Sequence, residues 1–157
     1  MRKTPPEDVI VIGGGPGGLA LAHSLALHGI DPLVLELGEA AGWSWANMPR
    51  NISLLSPWKV NHLPGTKPTL ADQHEMHSCH DFAAYLQGYA RQHRLRLQTG
   101  TRVTCVARDG ELFTLQTTGG TLRARAVVNA TGYFDKPRMP HYAGMSATNV
   151  RQMHVHD

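Results

Sequence analysis

The stretch that most constrains this chain is Gly13-Gly14-Gly15-Pro16-Gly17-Gly18, which fits the spacing G-x-G-x-x-G and separates two segments of different periodicity. Before it, Asp8-Val9-Ile10-Val11-Ile12 is a short β-branched run, the pattern of a strand buried on both faces of a parallel sheet. After it, Leu19, Ala22, Leu25, Ala26 and Leu27 recur near helical spacing as far as Gly29, which stands where a C-capping glycine belongs. Pro32-Leu33-Val34-Leu35-Glu36 reads as a second apolar strand. Strand, glycine turn, helix and strand within about 30 residues have the length of a βαβ unit.

In such a unit the glycines have separate tasks: Gly13 makes the tight turn, Gly15 lets a pyrophosphate approach the backbone, and Gly18 lets helix and strand pack closely. The first helical turn, with Pro16 and Gly17, offers unpaired N–H groups and the positive end of the helix dipole to a diphosphate. Glu36 follows Gly13 by 23 residues and, with Leu37 beside it, ends the second strand. A carboxylate there accepts hydrogen bonds from ribose hydroxyls and repels a 2′-phosphate, so this turn is expected to hold FAD or NAD rather than NADP.

Residues 38–77 are punctuated by Gly42, Pro49, Pro57, Pro64, Gly65 and Pro68 and are expected to form a long irregular loop of the kind that carries function. Ser78 and Asp81 have the spacing of a capping box before a helix over about 79–93. Alternating segments at 95–99, 101–106, 112–117 and 121–126 read as strands, with turns at Gly110 and Gly119-Gly120; Val127–Ala130 reads as a further short buried strand. The expected fold class is α/β: a Rossmann-type parallel sheet with helices, and an antiparallel β-meander over roughly 101–126 inserted before the last parallel strand.

The net charge of +3 comes from dispersed arginines, without the basic stripe or interleaved aromatics that nucleic-acid binding needs. The polar, Pro-broken N-terminus is no signal peptide, and no run of about 18 apolar residues offers a membrane span. The two cysteines, Cys79 and Cys105, lie far apart and form no C-x-x-C, which suits a reducing, cytoplasmic setting.

Four segments from residue 8 to about 142 together resemble the flavin-containing and Baeyer–Villiger monooxygenases, within the two-dinucleotide-domain flavoproteins of the pyridine nucleotide-disulfide oxidoreductase-like superfamily. They are the Gly13 turn with Glu36; Ala41-Gly42-Trp43-Ser44-Trp45, similar to that family's G-G-x-W segment with Ala41 for the first glycine; Gly100-Thr101-Arg102-Val103, similar to its G-T-x-V strand; and Val127-Val128-Asn129-Ala130-Thr131-Gly132 with Pro137 and Pro140, similar to its A-T-G motif. The resemblance implies a GR2-like FAD-binding fold. It adds Gly42, Trp43, Ser44, Trp45, Val103, Ala130, Thr131 and Gly132 to Gly13, Gly15, Pro16, Gly17, Gly18, Glu36 and Leu37 as FAD-binding candidates. It also implies NADPH as the second cofactor of a parent enzyme that uses reduced flavin and dioxygen to place one oxygen on a soft nucleophile or a ketone. The 157 residues hold no second glycine turn, and His154 matches only part of the family's F-x-G-x-x-x-H motif. The expected organisation is therefore a disordered tail at 1–7, an incomplete FAD-binding Rossmann domain at 8–142, and an irregular tail at 143–157 leading to a missing NADPH-binding domain. On that reading the chain by itself does not turn over NADPH, and a natural stand-alone flavin module is the competing reading.

Other constellations are weaker. His74, His77, Cys79 and His80 are zinc-ligand types without finger spacing, and the expectation is no metal. Trp43 and Trp45 fit a core anchor and a flavin-pocket wall equally well. His154 and His156 read as a solvated tail. G-x-S-x-G is absent, as is the G-K-[S/T] of a P-loop. Four functions stay open at this level: a monooxygenase, a thioredoxin-reductase-like oxidoreductase, a non-catalytic FAD-binding or electron-transfer module, and a simple NAD-dependent dehydrogenase. Catalytic residues are unassigned, the partner is a small-molecule substrate, and homo-oligomerisation is left open.

Overall fold

The computed structural model describes residues 5–67, 69, 74–133, 138–145 and 149–153; His154, His156, Pro137 and most of the N-terminal tail lie outside the described residues. Six strands form one sheet in the order β3-β2-β1-β6-β5-β4. Its parallel part is β1 (Glu7–Ile12), β2 (Leu33–Leu35), β3 (Arg96–Gln98) and the second half of β6 (Gly120–Asn129). Its antiparallel part is β4 (Val103–Asp109), β5 (Leu112–Thr117) and the first half of β6. β1 starts one residue before the sequence boundary, because Glu7 pairs with Ala124 in the ladder and its carboxylate meets the Arg96 guanidinium at 2.9 Å.

Side chains alternate along β1, which decides what covers each face. Val9 and Val11 pack with Ala22 and Val34 on the helical side, where α1 (Pro16–Leu27) and α3 (Cys79–Gln92) lie. Ile10 and Ile12 pack on the other side with Leu33, Leu35, Leu115 and Ala124, so the antiparallel strands supply the cover there. Ile10 and Val11 are both fully buried. Burial of that degree stabilises by roughly 1.5–3 kcal/mol per side chain, which is why β1 reads as a continuous apolar run.

The sequence pattern separates a meander strand at 121–126 from a last parallel strand at 127–130; the structure corrects this to one strand, β6. Ala124 is the pivot, pairing with Phe113 on one side and Glu7 on the other. The change in hydrophobic pattern near Ala126 marks a change of neighbour, from antiparallel β5 to parallel β1, without a break in the chain.

Both longer helices end in the same hydrogen-bonded motif. In α1, Ile30 N–H donates to Leu25 C=O and Gly29 N–H to Ala26 C=O, with Gly29 in the left-handed region at φ 78°. In α3, Leu95 N–H donates to Ala90 C=O and Arg94 N–H to Arg91 C=O, with Arg94 holding φ 52° where a glycine is usual. The expected capping box starts α3: Asp81 N–H donates to Ser78 Oγ, and Ser78 N–H and Oγ donate to the Asp81 carboxylate. The hydroxyl bond, followed by the backbone one, holds the Asp81 carboxyl below its ordinary value.

Over its described residues, the 38–77 segment is more ordered than its sequence suggests. It contains α2 (Trp43–Ala46), a 3₁₀ turn at Trp58–Val60, and Met48, Leu54 and Trp58 buried against Leu19, Phe82 and Leu86. Two tyrosines of α3 tie it down. Leu63 N–H donates to Tyr85 Oη at 2.8 Å, and Tyr89 Oη donates to Pro64 C=O at 2.7 Å. Burial of Tyr89, reinforced by Tyr85, pushes its phenol up to about 12.

Candidate functional site

The parallel strands β1, β2 and β6 end on one edge of the sheet, and the turns that leave them surround a cavity of about 670 Å³. That lies within the roughly 300–1,000 Å³ of small-molecule and cofactor sites, and the edge is where ligands bind in open α/β sheets. The floor is Gly13, Gly15, Pro16 and Gly17; Glu36 and Leu37 come from the end of β2; Trp43, Ser44 and Trp45 come from α2 and Ala130, Thr131 and Gly132 from the end of β6. Val103 and Gly42 also line it.

The glycines of the turn divide into those that are closely packed and two that face open space. A Cβ on Gly13 would collide with Ala130 C=O, and Gly13 also holds φ 115°. A Cβ on Gly18 would collide with Gly13 C=O, so the first turn of α1 lies backbone to backbone against the glycine turn that leaves β1; Gly18 is buried and does not line the cavity. Around Gly15 and Gly17 a Cβ would meet nothing within 4 Å, because both face the open space. Gly15 is the N-cap of α1, with no side-chain cap and no acidic residue in the first turn. Uncapped N–H groups and the dipole make this end attractive to an anion.

Glu36 is buried, and its carboxylate already has protein partners. Oε2 accepts from Gly14 N–H at 2.7 Å and Oε1 from Gly38 N–H at 2.8 Å. Each oxygen keeps a further acceptor site. Glu36 therefore clamps the glycine turn to the exit of β2 while still lining the cavity. Backbone bonds complete the clamp: Gly42 N–H donates to Gly14 C=O, Gly100 N–H to Gly38 C=O, and Thr101 N–H to Glu36 C=O. Trp43 and Trp45 both face the cavity, and Trp45 also packs edge-on against Phe82 with centroids 4.9 Å apart, so wall and core anchor are one residue.

Ile12, Leu35, Asn47, Thr101 and Arg102 also line the cavity, beyond the FAD-binding candidates of the sequence. Ile12 and Leu35 are the last residues of their strands, a signal that was available; Asn47 arrives because its Nδ2 caps Trp43 C=O, which only the fold reveals. In the loop that follows α2, Ser56 bonds locally to Asn61 and does not line the cavity. Among the described residues no group of three or more His, Cys, Asp or Glu is placed to hold a metal. His77 stacks on Trp58 at 4.3 Å and Cys79 is buried at the start of α3. No helix among the described residues is long and apolar enough to cross a membrane.

The family model described as pyridine nucleotide-disulphide oxidoreductase matches residues 10–157. The chain belongs to that family. It is 30% identical over 158 residues to indole-3-pyruvate monooxygenase YUCCA1 of Oryza sativa subsp. japonica, covering 98% of this chain and 39% of that protein. Among solved structures it superposes with a TM-score of 0.81 on the flavin-containing monooxygenase from Stenotrophomonas maltophilia, at 30% identity over 91% of this chain and 43% of that one. The bacillithiol disulfide reductase Bdr (YpdA) from Bacillus cereus gives a TM-score of 0.79 at 32% identity, over 90% and 44% of the two chains. The chain spans about 42% of the length of curated relatives it matches.

Proposed function

We propose that the cavity is an FAD site and that this chain is the FAD-binding part of an NADPH- and dioxygen-dependent monooxygenase acting on a small molecule. The observation that carries the reading is the uncapped N-terminus of α1, opening through Gly15 and Gly17 onto a cavity that also holds the Glu36 carboxylate. These residues fit a dinucleotide: the N–H groups of the first turn suit a diphosphate, and the spare acceptor sites of Glu36 suit ribose hydroxyls. Gly13, Gly15, Pro16 and Gly17 would hold the diphosphate, Glu36 and Leu37 the ribose, and Val103 the adenine end. Gly42, Trp43, Ser44, Trp45, Ala130, Thr131 and Gly132 would form the remaining walls, with Gly18 acting from beneath by letting α1 approach β1.

Bound FAD supplies hydride acceptance from NADPH and oxygen transfer to substrate. The protein positions it and keeps water away from it, and the two indoles do the latter on one wall. The monooxygenase reading is favoured by the likeness to the Stenotrophomonas enzyme and to YUCCA1, together with the lack of any C-x-x-C in this chain. A dithiol-type reductase is the second reading, favoured by the likeness to the bacillithiol disulfide reductase. Cys79 and Cys105 are both free, which suits a cytoplasmic setting.

Binding is tested by titrating the purified chain with FAD and with NADPH, following flavin absorption and tryptophan emission. FAD is expected to saturate one site and NADPH to bind more weakly; preference for NADPH would reject the FAD assignment. The activity is tested on the intact protein with isotopically labelled dioxygen. Label in the product supports the monooxygenase, and NADPH-driven disulfide reduction without label supports the second reading.

A further inference from the structure

Gly38 carries none of the usual reasons for a glycine. It is not in the left-handed region, it does not line the cavity, and it is not one of the glycines of the turn. Yet it is the most crowded glycine of the loop that leaves β2. A Cβ built there would fall inside the Trp43 side chain, overlapping Cγ, Cβ and Cδ2. These atoms are the root of the indole, so a change of rotamer at the far end of the ring does not clear them.

The backbone cannot easily yield either, because both partners are held. Gly38 N–H donates to Glu36 Oε1 at 2.8 Å and Gly38 C=O accepts from Gly100 N–H at 2.8 Å. On the other side, Gly42 N–H donates to Gly14 C=O at 2.9 Å, while Trp43 C=O accepts from Asn47 N–H at 3.1 Å and Asn47 Nδ2 at 2.8 Å. Gly42 itself has φ 69° and sits against Leu86. The Trp43 indole thus rests on a bare Cα whose own amide is fixed by the carboxylate expected to read the ribose.

We propose that Gly38 is a positioning residue of the site: its missing side chain seats Trp43 in the cavity wall, and through Glu36 it ties that wall to the ribose-reading end. The inference rests on the FAD reading only for its consequence in binding, since the seat itself is a property of the protein alone. Any side chain at 38 must displace Trp43 or break the Glu36–Gly38 bond, and either change alters the cavity.

The test is a double-mutant cycle on the full chain, using Gly38→Ala, Trp43→Gly and the pair, with Gly119→Ala as control because a Cβ there meets nothing closer than 3.8 Å. Overpacking against a held neighbour is expected to lower the thermal midpoint of Gly38→Ala by several degrees and to weaken FAD binding on the order of tenfold. On the Trp43→Gly background the same alanine is expected to change neither, because the three atoms nearest that Cβ are gone. At saturating FAD, Gly38→Ala is expected to show altered quenching of tryptophan emission, which a glycine that only stabilised the fold would leave as in the wild type. An unchanged Gly38→Ala protein, a penalty that persists with Trp43→Gly, or unaltered quenching at saturation overturns the proposal. If Gly38→Ala does not fold, recovery of folding in the pair supports the seat and failure to recover overturns it. Absence of FAD binding by the wild type rejects the FAD reading and leaves the ligand-free thermal cycle to decide the seat.

Discussion

The two longer helices begin in opposite ways. α3 closes its own N-terminus: Ser78 and Asp81 exchange hydrogen bonds, and an acidic side chain lies in the first turn. α1 has no side-chain cap and no acidic residue there, only glycine and proline, and it opens onto the cavity. A structural helix uses its side chains to satisfy its first N–H groups, whereas a ligand-binding one leaves them for the ligand at some expense to its own stability. The C-terminal ends differ less. Both make the same motif, one with Gly29 and the other with Arg94 in a conformation that favours glycine.

The sharpest way to break the contrast is to give α1 an end like that of α3. Gly15 has extended backbone geometry and open space where a side chain would go, so Gly15→Asp can cap the helix itself. Thermal stability is expected to hold or rise, while FAD affinity, measured by fluorescence titration, falls on the order of a hundredfold because a fixed carboxylate occupies the anion position. Gly18→Ala comes next. Its Cβ would press on Gly13 C=O, and overpacking of that kind costs about 2 kcal/mol, to be read from urea unfolding.

At α3, Ser78→Ala is expected to cost about 1 kcal/mol with FAD affinity untouched. The part of that cost carried by Asp81 has a defined pH dependence. Its folded value lies below 3.8, so the contribution is present at neutral pH and is lost as the pH falls below 3.8; the gap between wild type and variant in urea should narrow there. The smallest effect is at the other end of the helix. Arg94→Gly is expected to stabilise by roughly 0.5 kcal/mol, the relief of a left-handed non-glycine less the entropy glycine adds to the unfolded chain, seen as a small rise in thermal midpoint.

The comparison also shows which features were legible in the sequence. The β1–α1–β2 unit and the start of α3 were, because each depends on local chemistry: a β-branched run, glycines at fixed offsets, and a serine three residues before an aspartate. The candidate residues from the glycine turn, the β2 end, Val103 and the Ala130–Gly132 segment are brought together around one cavity, with Gly18 beneath it. What was not legible depends on partners distant in sequence. The sequence pattern divides the single strand β6 in two because its neighbours change at Ala124. The order in 38–77 was missed because α2 and Trp58 are held by packing against α3 rather than by periodicity. The place of Glu36 at the end of β2 points to a ribose ligand; its second task, clamping Gly14 and Gly38, depends on amides that only the fold brings to it.

On the proposed reading α1 leaves its N-terminus open for the diphosphate of FAD, with Glu36 beside it for a ribose. The most direct test is a crystal structure of this chain grown with FAD. The expected density has the diphosphate within hydrogen-bonding distance of the amides of Gly15 to Gly17 and a ribose hydroxyl on Glu36. FAD bound elsewhere, or an empty glycine turn at a saturating concentration, would contradict it.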